Sequence, residues 1–103
     1  MAKLRVTNKA VEDLDSIWNY TLKTWSERQA DEYYEMLVSF CRKALFFKAF
    51  PFRHYDEVAQ DLYGIKAGHH IIFYKRLIND DVLIVRILHE RMDIQQHISP
   101  LMR

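Results

Sequence analysis

Alternating apolar and polar residues open the chain and predict a short strand. Leu4 and Val6 fall on one side of residues 3–7, while Lys3 and Arg5 fall on the other. A period of two residues is typical of a strand with one buried face. The sequence therefore predicts a short half-buried strand ahead of the first helix.

Two helices are predicted next. Asn8 can cap the first, which runs to about Thr24, because an Asn side chain accepts from the free donors of the first turn. Ser26 and Gln29 form a capping box that starts the second, and this helix must end before Pro51. The inner faces repeat at helical spacing, with Val11, Leu14, Ile17, Trp18 and Thr21 in the first helix and Ala30, Tyr33, Tyr34, Leu37, Phe40, Cys41 and Ala44 in the second. The short connection between the helices predicts an antiparallel pair.

Strand patterns fill the second half of the chain. Residues 48–61 have no clear period and predict a loop, which the rings of Phe50, Phe52 and Tyr55 attach to the core. Runs of β-branched and aromatic residues then predict three strands, at Leu62–Ala67, His69–Leu77 and Val82–His89, with turns at Gly68 and at Asn79–Asp81. The order predicts one α+β domain over residues 1–103, a β-α-α-β-β-β unit with an antiparallel helical pair on one face of a mainly antiparallel sheet.

Side chains alternate along strands, so each predicted strand divides into two faces. We expect one face to lie under the helices, formed by Ile71, Phe73, Leu83, Val85 and Ile87. The other face is expected to be open, and it mixes apolar bodies with basic tips: His70, Ile72, Tyr74, Arg76, Ile84, Arg86 and Leu88. An uncovered face with apolar residues is a candidate interaction surface.

Composition narrows the class of protein. Half of the 103 residues are hydrophobic, which favours a well-filled core. The net charge is only +1, whereas proteins that bind nucleic acids directly are usually strongly basic. We therefore do not expect direct nucleic-acid binding. No signal sequence or membrane span is recognisable, and we expect a cytoplasmic protein. Cys41 is the one cysteine, and its place on the inner helical face predicts a buried thiol.

The five histidines do not predict a metal centre. His69 and His70 are adjacent and therefore point to opposite faces of a strand, so they do not easily bind one ion. No cysteine or histidine pair has the spacing of a zinc site. The two glycines, Gly64 and Gly68, cannot form a phosphate-binding loop. We expect neither a metal nor another cofactor.

Several segments resemble the ParE branch of the RelE/ParE toxin superfamily. The matching segments are Leu14-Asp15-x-Ile17-Trp18-x-Tyr20, Gln29-Ala30-Asp31-x-Tyr33, Gly68-x-His70-x-Ile72-Phe73-Tyr74 and Arg86-Ile87-Leu88-His89-x-Arg91-Met92-Asp93. Each is weak alone, but their order and spacing together are fairly specific. The resemblance implies the fold of that superfamily. It also implies a bacterial type II toxin that inhibits DNA gyrase without catalysis and is silenced by a ParD-like antitoxin.

The expected antitoxin surface is the open sheet face together with the helical pair. An acidic amphipathic segment is expected to cover an apolar floor of Ile72, Tyr74, Ile84 and Leu88, with Arg86 pairing to one of its carboxylates.

The expected target contacts lie where the last strand stops. They are His89, Arg91 and Met92, because side chains at strand ends leave the sheet and meet partners. Asp93 is expected to cap one further helical turn before Pro100.

Two alternatives remain open at this stage. A RelE-like, ribosome-dependent messenger-RNA endonuclease would use acid–base and cationic groups, here His70, Arg91, His97 and Lys66. Against it, Leu62 and Gly64 stand where that branch has a basic pair. The other alternative is a non-toxic binding module on the same fold, which growth arrest on expression would distinguish from both toxins.

Overall fold

A computed structural model describes residues 2–46 and 52–102 of the chain, with side chains as far as Ile98. In chain order the elements are β1 (Leu4–Val6), α1 (Asn8–Thr24), α2 (Glu27–Phe46), β2 (Arg53–His54), β3 (Tyr63–Ala67), β4 (His70–Arg76), a 3₁₀ turn (Ile78–Asp80), β5 (Val82–His89) and α3 (Ile94–Met102). The strands form one sheet in the order β1-β5-β4-β3-β2. β1 runs parallel to β5, and the other neighbours are antiparallel. The α+β architecture predicted from the sequence is confirmed, with β2 and a longer α3 as additions.

The helix starts follow local capping chemistry. Thr7, not Asn8, caps α1, because the Thr7 hydroxyl accepts a hydrogen bond from the Ala10 amide at 3.0 Å. The prediction for Asn8 was wrong by one residue, since the strand ends there and leaves Thr7 in an extended conformation. The Ser26 hydroxyl accepts from the Gln29 amide at 3.1 Å, which confirms the predicted cap of α2.

Helices cover both faces of the sheet. The α1–α2 pair lies over one face, where Ile72, Tyr74 and Ile84 are 0%, 1% and 0% exposed. The other face carries a second core that includes side chains of α3, and its buried residues are Tyr55, Leu62, Phe73, Val85, Leu88 and Ile98. Tyr55 packs edge-on against Phe73 with ring centres 5.1 Å apart, so the loop that contains it is attached to this core as predicted.

The predicted assignment of the two sheet faces was therefore wrong. Ile72, Tyr74 and Ile84 lie under the helical pair instead of on an open face, and Leu88 is buried on the α3 side. Conversely, four residues expected under the helical pair belong to the second core or pack against it: Ile71, Phe73, Leu83 and Val85. Alternation separates two faces but does not say which one a given helix covers, and here both faces are apolar because both are covered.

A β-bulge adds a second reason for the error. Phe73 pairs with Arg86, and Tyr74 pairs with Ile84, so Val85 is an extra residue on β5. Such a bulge shifts the alternation of side chains along one strand. As a result Ile84 and Ile87, three positions apart, both contribute to the core beneath α1 and α2. The expectation for Ile87 was correct.

Candidate functional site

Arg86 is an internal crosslink of the fold. Its Nε lies 2.7 Å from Asp13 Oδ2 and its Nη2 lies 2.8 Å from Oδ1, with side chains 12% and 13% exposed. The Asp13 carboxylate also accepts from the Ile87 amide at 3.0 Å, and Arg86 Nη1 donates to the His97 carbonyl at 3.2 Å. The hydrogen bonds that Arg86 donates to the Asp13 carboxylate raise the pKa of Arg86. The guanidinium thus joins α1, β5 and α3, and the expectation that it lies open to a partner carboxylate was wrong.

A concave surface lies between the helical pair, the turn before β4 and the end of β5. It has a volume of about 930 Å³, and we call it the histidine groove. Its lining comes from α1, α2, the turn before β4, and the end of β5: Ser16, Ile17, Tyr20, Thr21, Trp25, Gln29, Glu32, Tyr33, His69, His70, His89 and Met92. Two predicted target-binding residues, His89 and Met92, are therefore brought together with His70.

Tyr33 of α2 fixes the hairpin at one wall of the groove. Its hydroxyl accepts a hydrogen bond from the His69 amide at 3.0 Å and lies 2.6 Å from His70 Nδ1. Gly68, which precedes His69, has a positive φ of 61°, as the first central residue of a type II′ turn requires. A Cβ at Gly68 would stand 2.8 Å from the Tyr33 hydroxyl oxygen, so glycine is needed for both shape and conformation.

The same hydroxyl contacts His70, a partly buried histidine whose pKa is lowered. Burial, together with the nearby His89 and His69, lowers the pKa of His70 to about 4, so the ring is neutral at pH 7. The Tyr33 oxygen already accepts from an amide, and its own proton is best placed to bond with the nearby His70 Nδ1. The ring proton is then on Nε2. His70 presents a neutral hydrogen-bond donor, which is not the form of a general base.

This pKa predicts a loss of stability in mild acid. Between pH 6.5 and 4 the unfolded His70 binds a proton and the folded one does not, so the free energy of unfolding falls as the pH falls. After allowance for partial solvation, His70 should account for about 1–2 kcal/mol between pH 7 and 4.5. Urea unfolding at the two pH values should show a smaller decrease in the free energy of unfolding for His70→Asn than for the wild type. The exposed control His54→Asn should show the same decrease as the wild type. Equal decreases in the wild type and His70→Asn would contradict the assignment.

Residues 90–92 follow β5 beside the groove, and we call them its rim; of the three, Met92 lines the groove itself. Glu90 Oε2 lies 3.8 Å from both Lys66 Nζ and His69 Nδ1. Arg91 is exposed and its backbone amide donates to His89 Nδ1 at 3.2 Å. Within the part of the chain that the structure describes, the Arg91 guanidinium forms no ion pair. It is therefore a charge held at the rim and available to a partner.

Asp93 has the structural role predicted for it. The Gln96 amide donates to Asp93 Oδ1 at 3.4 Å, and α3 begins at the next residue. The helix continues to Met102, which is longer than the single turn expected before Pro100. Asp93 thus sets the point at which the chain turns from the groove to the opposite sheet face.

The residues proposed for RNA cleavage are not gathered on one face. His70 pairs with Ala67 on the side of the helical pair, whereas Lys66 pairs with Ile71 on the α3 side. His97 belongs to α3, which covers that second face, and its carbonyl is bonded to Arg86. The sheet itself separates His70 from Lys66.

Two exposed aromatic residues of the groove were absent from the predicted site. Tyr20 and Trp25 are each 69% exposed. Tyr20 lies off the apolar stripe of α1, and a large ring outside such a stripe was the available signal, whereas Trp25 follows the last residue of the helix and continues the spacing of the stripe. Tyr33 was predicted as a core residue, and no local pattern indicated that its hydroxyl holds the hairpin.

Two features are missing from the described residues. In residues 2–46 and 52–102, no three histidine, cysteine or acidic side chains are grouped so that they could hold a metal ion. No helix in those same ranges is long and apolar enough to cross a membrane.

Known proteins are similar to this chain in sequence. The family model described as the ParE toxin of the type II toxin–antitoxin system parDE matches residues 4–94. Toxin ParE1 of Mycobacterium tuberculosis is 29% identical over 85 residues, which cover 82% of this chain and 86% of the relative. Toxin ParE1 of Caulobacter vibrioides is 26% identical and covers 96% of this chain and 100% of its own. Toxin ParE of Escherichia coli is 29% identical over 94 residues, 91% of this chain and 90% of the relative.

A solved structure agrees at the level of the fold. A chain of the chromosomal ParDE TA system from P. aeruginosa superposes with a TM-score of 0.72 at 15% identity, covering 86% of this chain and 96% of that one. This likeness concerns the α+β fold alone. The family match extends over nearly the whole domain, and the chain belongs to the ParE family of type II toxins.

Proposed function

We propose that this protein arrests bacterial growth by binding and inhibiting DNA gyrase, and that a ParD-like antitoxin neutralises it. Membership of the ParE family and the ParDE origin of the similar structure support this proposal. On this view the protein is a non-catalytic toxin that acts in the cytoplasm. Its target contacts include His89, Arg91 and Met92 at the rim of the histidine groove.

The observation that carries the proposal is the chemistry of that rim. Arg91 and Met92 are exposed at the end of a well-packed strand, and Arg91 has no ion pair in the described part of the chain. Rigid presentation of an arginine beside apolar surface is typical of a binding site, because Arg and aromatic anchors dominate interface energies. His70 is a neutral donor there, and a binding site can use such a group without any proton transfer.

The RNA-cleavage alternative lacks comparable support. It needs a base, an acid and phosphate-binding cations around one reacting group. Here the sheet separates His70 from Lys66, and Lys66 is already close to Glu90. We therefore do not assign catalysis to His70, Lys66, Arg91 or His97.

Expression of the chain alone should arrest growth, and the purified protein should inhibit supercoiling by gyrase in vitro. Messenger RNA should remain intact when the protein is added to translating ribosomes, because the cleavage residues are not assembled. Co-expression of the neighbouring reading frame should restore growth if it encodes the antitoxin.

Specific cleavage of ribosome-bound message with gyrase unaffected would overturn the proposal in favour of the endonuclease. Normal growth at high expression of folded protein would instead favour the non-toxic binding module.

A further inference from the structure

Arg91, the exposed cation of the rim, lies in the turn between β5 and α3. Neither a strand ladder nor a helix fixes the backbone there. An interface arginine binds more tightly when it is already held in one orientation, because less conformational freedom is lost on binding. The presentation of Arg91 therefore depends on the contacts that this turn makes with neighbouring elements.

The first set of contacts runs along the backbone. The Glu90 amide donates to the His69 carbonyl at 2.9 Å. The His69 amide in turn donates to the Tyr33 hydroxyl oxygen at 3.0 Å. His69 thus connects α2 with the residue that precedes Arg91.

The second set of contacts runs through two histidine rings. The Tyr33 hydroxyl lies 2.6 Å from His70 Nδ1, which accepts its proton while the ring is neutral. The His70 ring packs edge-on against the His89 ring, with centres 5.3 Å apart. His89 Nδ1 accepts a hydrogen bond from the Arg91 amide at 3.2 Å. Both sets of contacts begin at the same oxygen atom and reach the turn that carries Arg91.

The Tyr33 hydroxyl affects position more than stability. Its two partners, His69 and His70, line the open groove, so water can replace the hydroxyl if it is removed. The Tyr33 ring packs against the core and would still do so without its oxygen. Loss of the hydroxyl would therefore keep the fold but leave the turn before β4, and with it the rim, free to shift.

We infer that Tyr33 is a positioning residue, whose hydroxyl orients Arg91 for the target through the His69 backbone and the His70–His89 ring pair. This inference rests on the proposed function and adds the residue that prepares the binding site. The nearby histidines then have a function that involves no proton transfer to a substrate. They transmit the position of α2 to the rim.

The test removes the hydroxyl and keeps the ring. Tyr33→Phe should weaken the inhibition of gyrase about 10-fold, the scale of one lost hydrogen bond, with a melting temperature close to that of the wild type. Hydrogen exchange should become about 10-fold faster at the amides of His69, Glu90 and Arg91, because their hydrogen bonds depend on the hydroxyl.

Tyr34→Phe is the matched control. It makes the same substitution one residue further along α2, at a ring that is 38% exposed and does not line the groove. The Tyr34 hydroxyl has no hydrogen bond within the described part of the chain. This variant should change neither the inhibition of gyrase nor the exchange of the rim amides.

A double variant separates positioning from general support of the site. Tyr33→Phe combined with Arg91→Ala should inhibit gyrase as well as Arg91→Ala does alone, because the hydroxyl acts through the arginine and the two losses are not independent. Losses that multiply in the double variant would show that Tyr33 does not act through Arg91, and the inference would be wrong.

The remaining outcomes distinguish the two proposals. If the wild type inhibits gyrase and Tyr33→Phe inhibits it equally well, the positioning role is wrong and the proposed function stands. The same holds if Tyr33→Phe is weaker but the exchange of the rim amides is unchanged. If the folded wild-type protein does not inhibit gyrase, the proposed function fails and the positioning role fails with it.

Discussion

Replacement of Asp13 by alanine should lower the free energy of unfolding by about 2–3 kcal/mol, somewhat less than the cost of breaking a fully buried ion pair, because both side chains keep some contact with solvent. The variant leaves Arg86 part-buried with its charge uncompensated, because both of its short contacts to Asp13 disappear. It also removes the acceptor of the Ile87 amide. Urea unfolding followed by circular dichroism gives the difference directly.

A neighbouring carboxylate provides the control. Glu12→Ala removes an exposed charge of α1 that lies 3.8 Å from Lys9, and exposed pairs of this kind contribute about 0–1 kcal/mol. The double variant Asp13→Ala, Arg86→Met should regain part of the lost stability, since it removes the uncompensated charge as well. If Asp13→Ala costs no more than Glu12→Ala, the ion pair does not hold the three elements together.

The second large effect concerns activity. Arg91→Ala should weaken gyrase inhibition about 30-fold, in line with the loss of an arginine anchor from an interface. Its melting temperature should remain near that of the wild type, because the guanidinium has no ion pair in the described structure. Supercoiling assays over a concentration series and a parallel thermal melt measure the two quantities.

Arg42→Ala is the matched control, since Arg42 is an exposed arginine of α2 that does not line the groove. It should change neither inhibition nor melting. A variant of Arg91 that melts early and loses activity only in proportion would show that this arginine supports the scaffold and does not contact the target.

Local patterns predicted the elements well. The cap at Ser26, the turn at Gly68 and the cap at Asp93 each depend on a few adjacent residues, and each was found. The family resemblance was equally visible in the sequence and was confirmed by the family match.

Long-range features could not be predicted from local sequence patterns. The pairing of Asp13 with Arg86 joins residues 73 positions apart, and no local pattern predicts it. The bulge at Val85 depends on how β4 and β5 align, which periodicity alone does not specify. Because α3 covers the second face, both faces of the sheet are apolar, and the face under α1 and α2 could be taken for an open one. The predicted antitoxin floor was wrong for these tertiary reasons, whereas the strand-end residues His89 and Met92 do line a groove.

The position of β5 in the sheet has a consequence for biosynthesis. β5 lies between β1 and β4, yet it is the last strand to leave the ribosome. Until it emerges, β1 has no neighbour to pair with, and the loop between them holds most of the chain. A nascent or prematurely terminated polypeptide that ends before Val82 can still pair β2, β3 and β4, but it leaves β1 without a neighbour and lacks the rim of the groove. Such a fragment cannot form the complete five-stranded sheet, so the groove exists only once β5 has been synthesised.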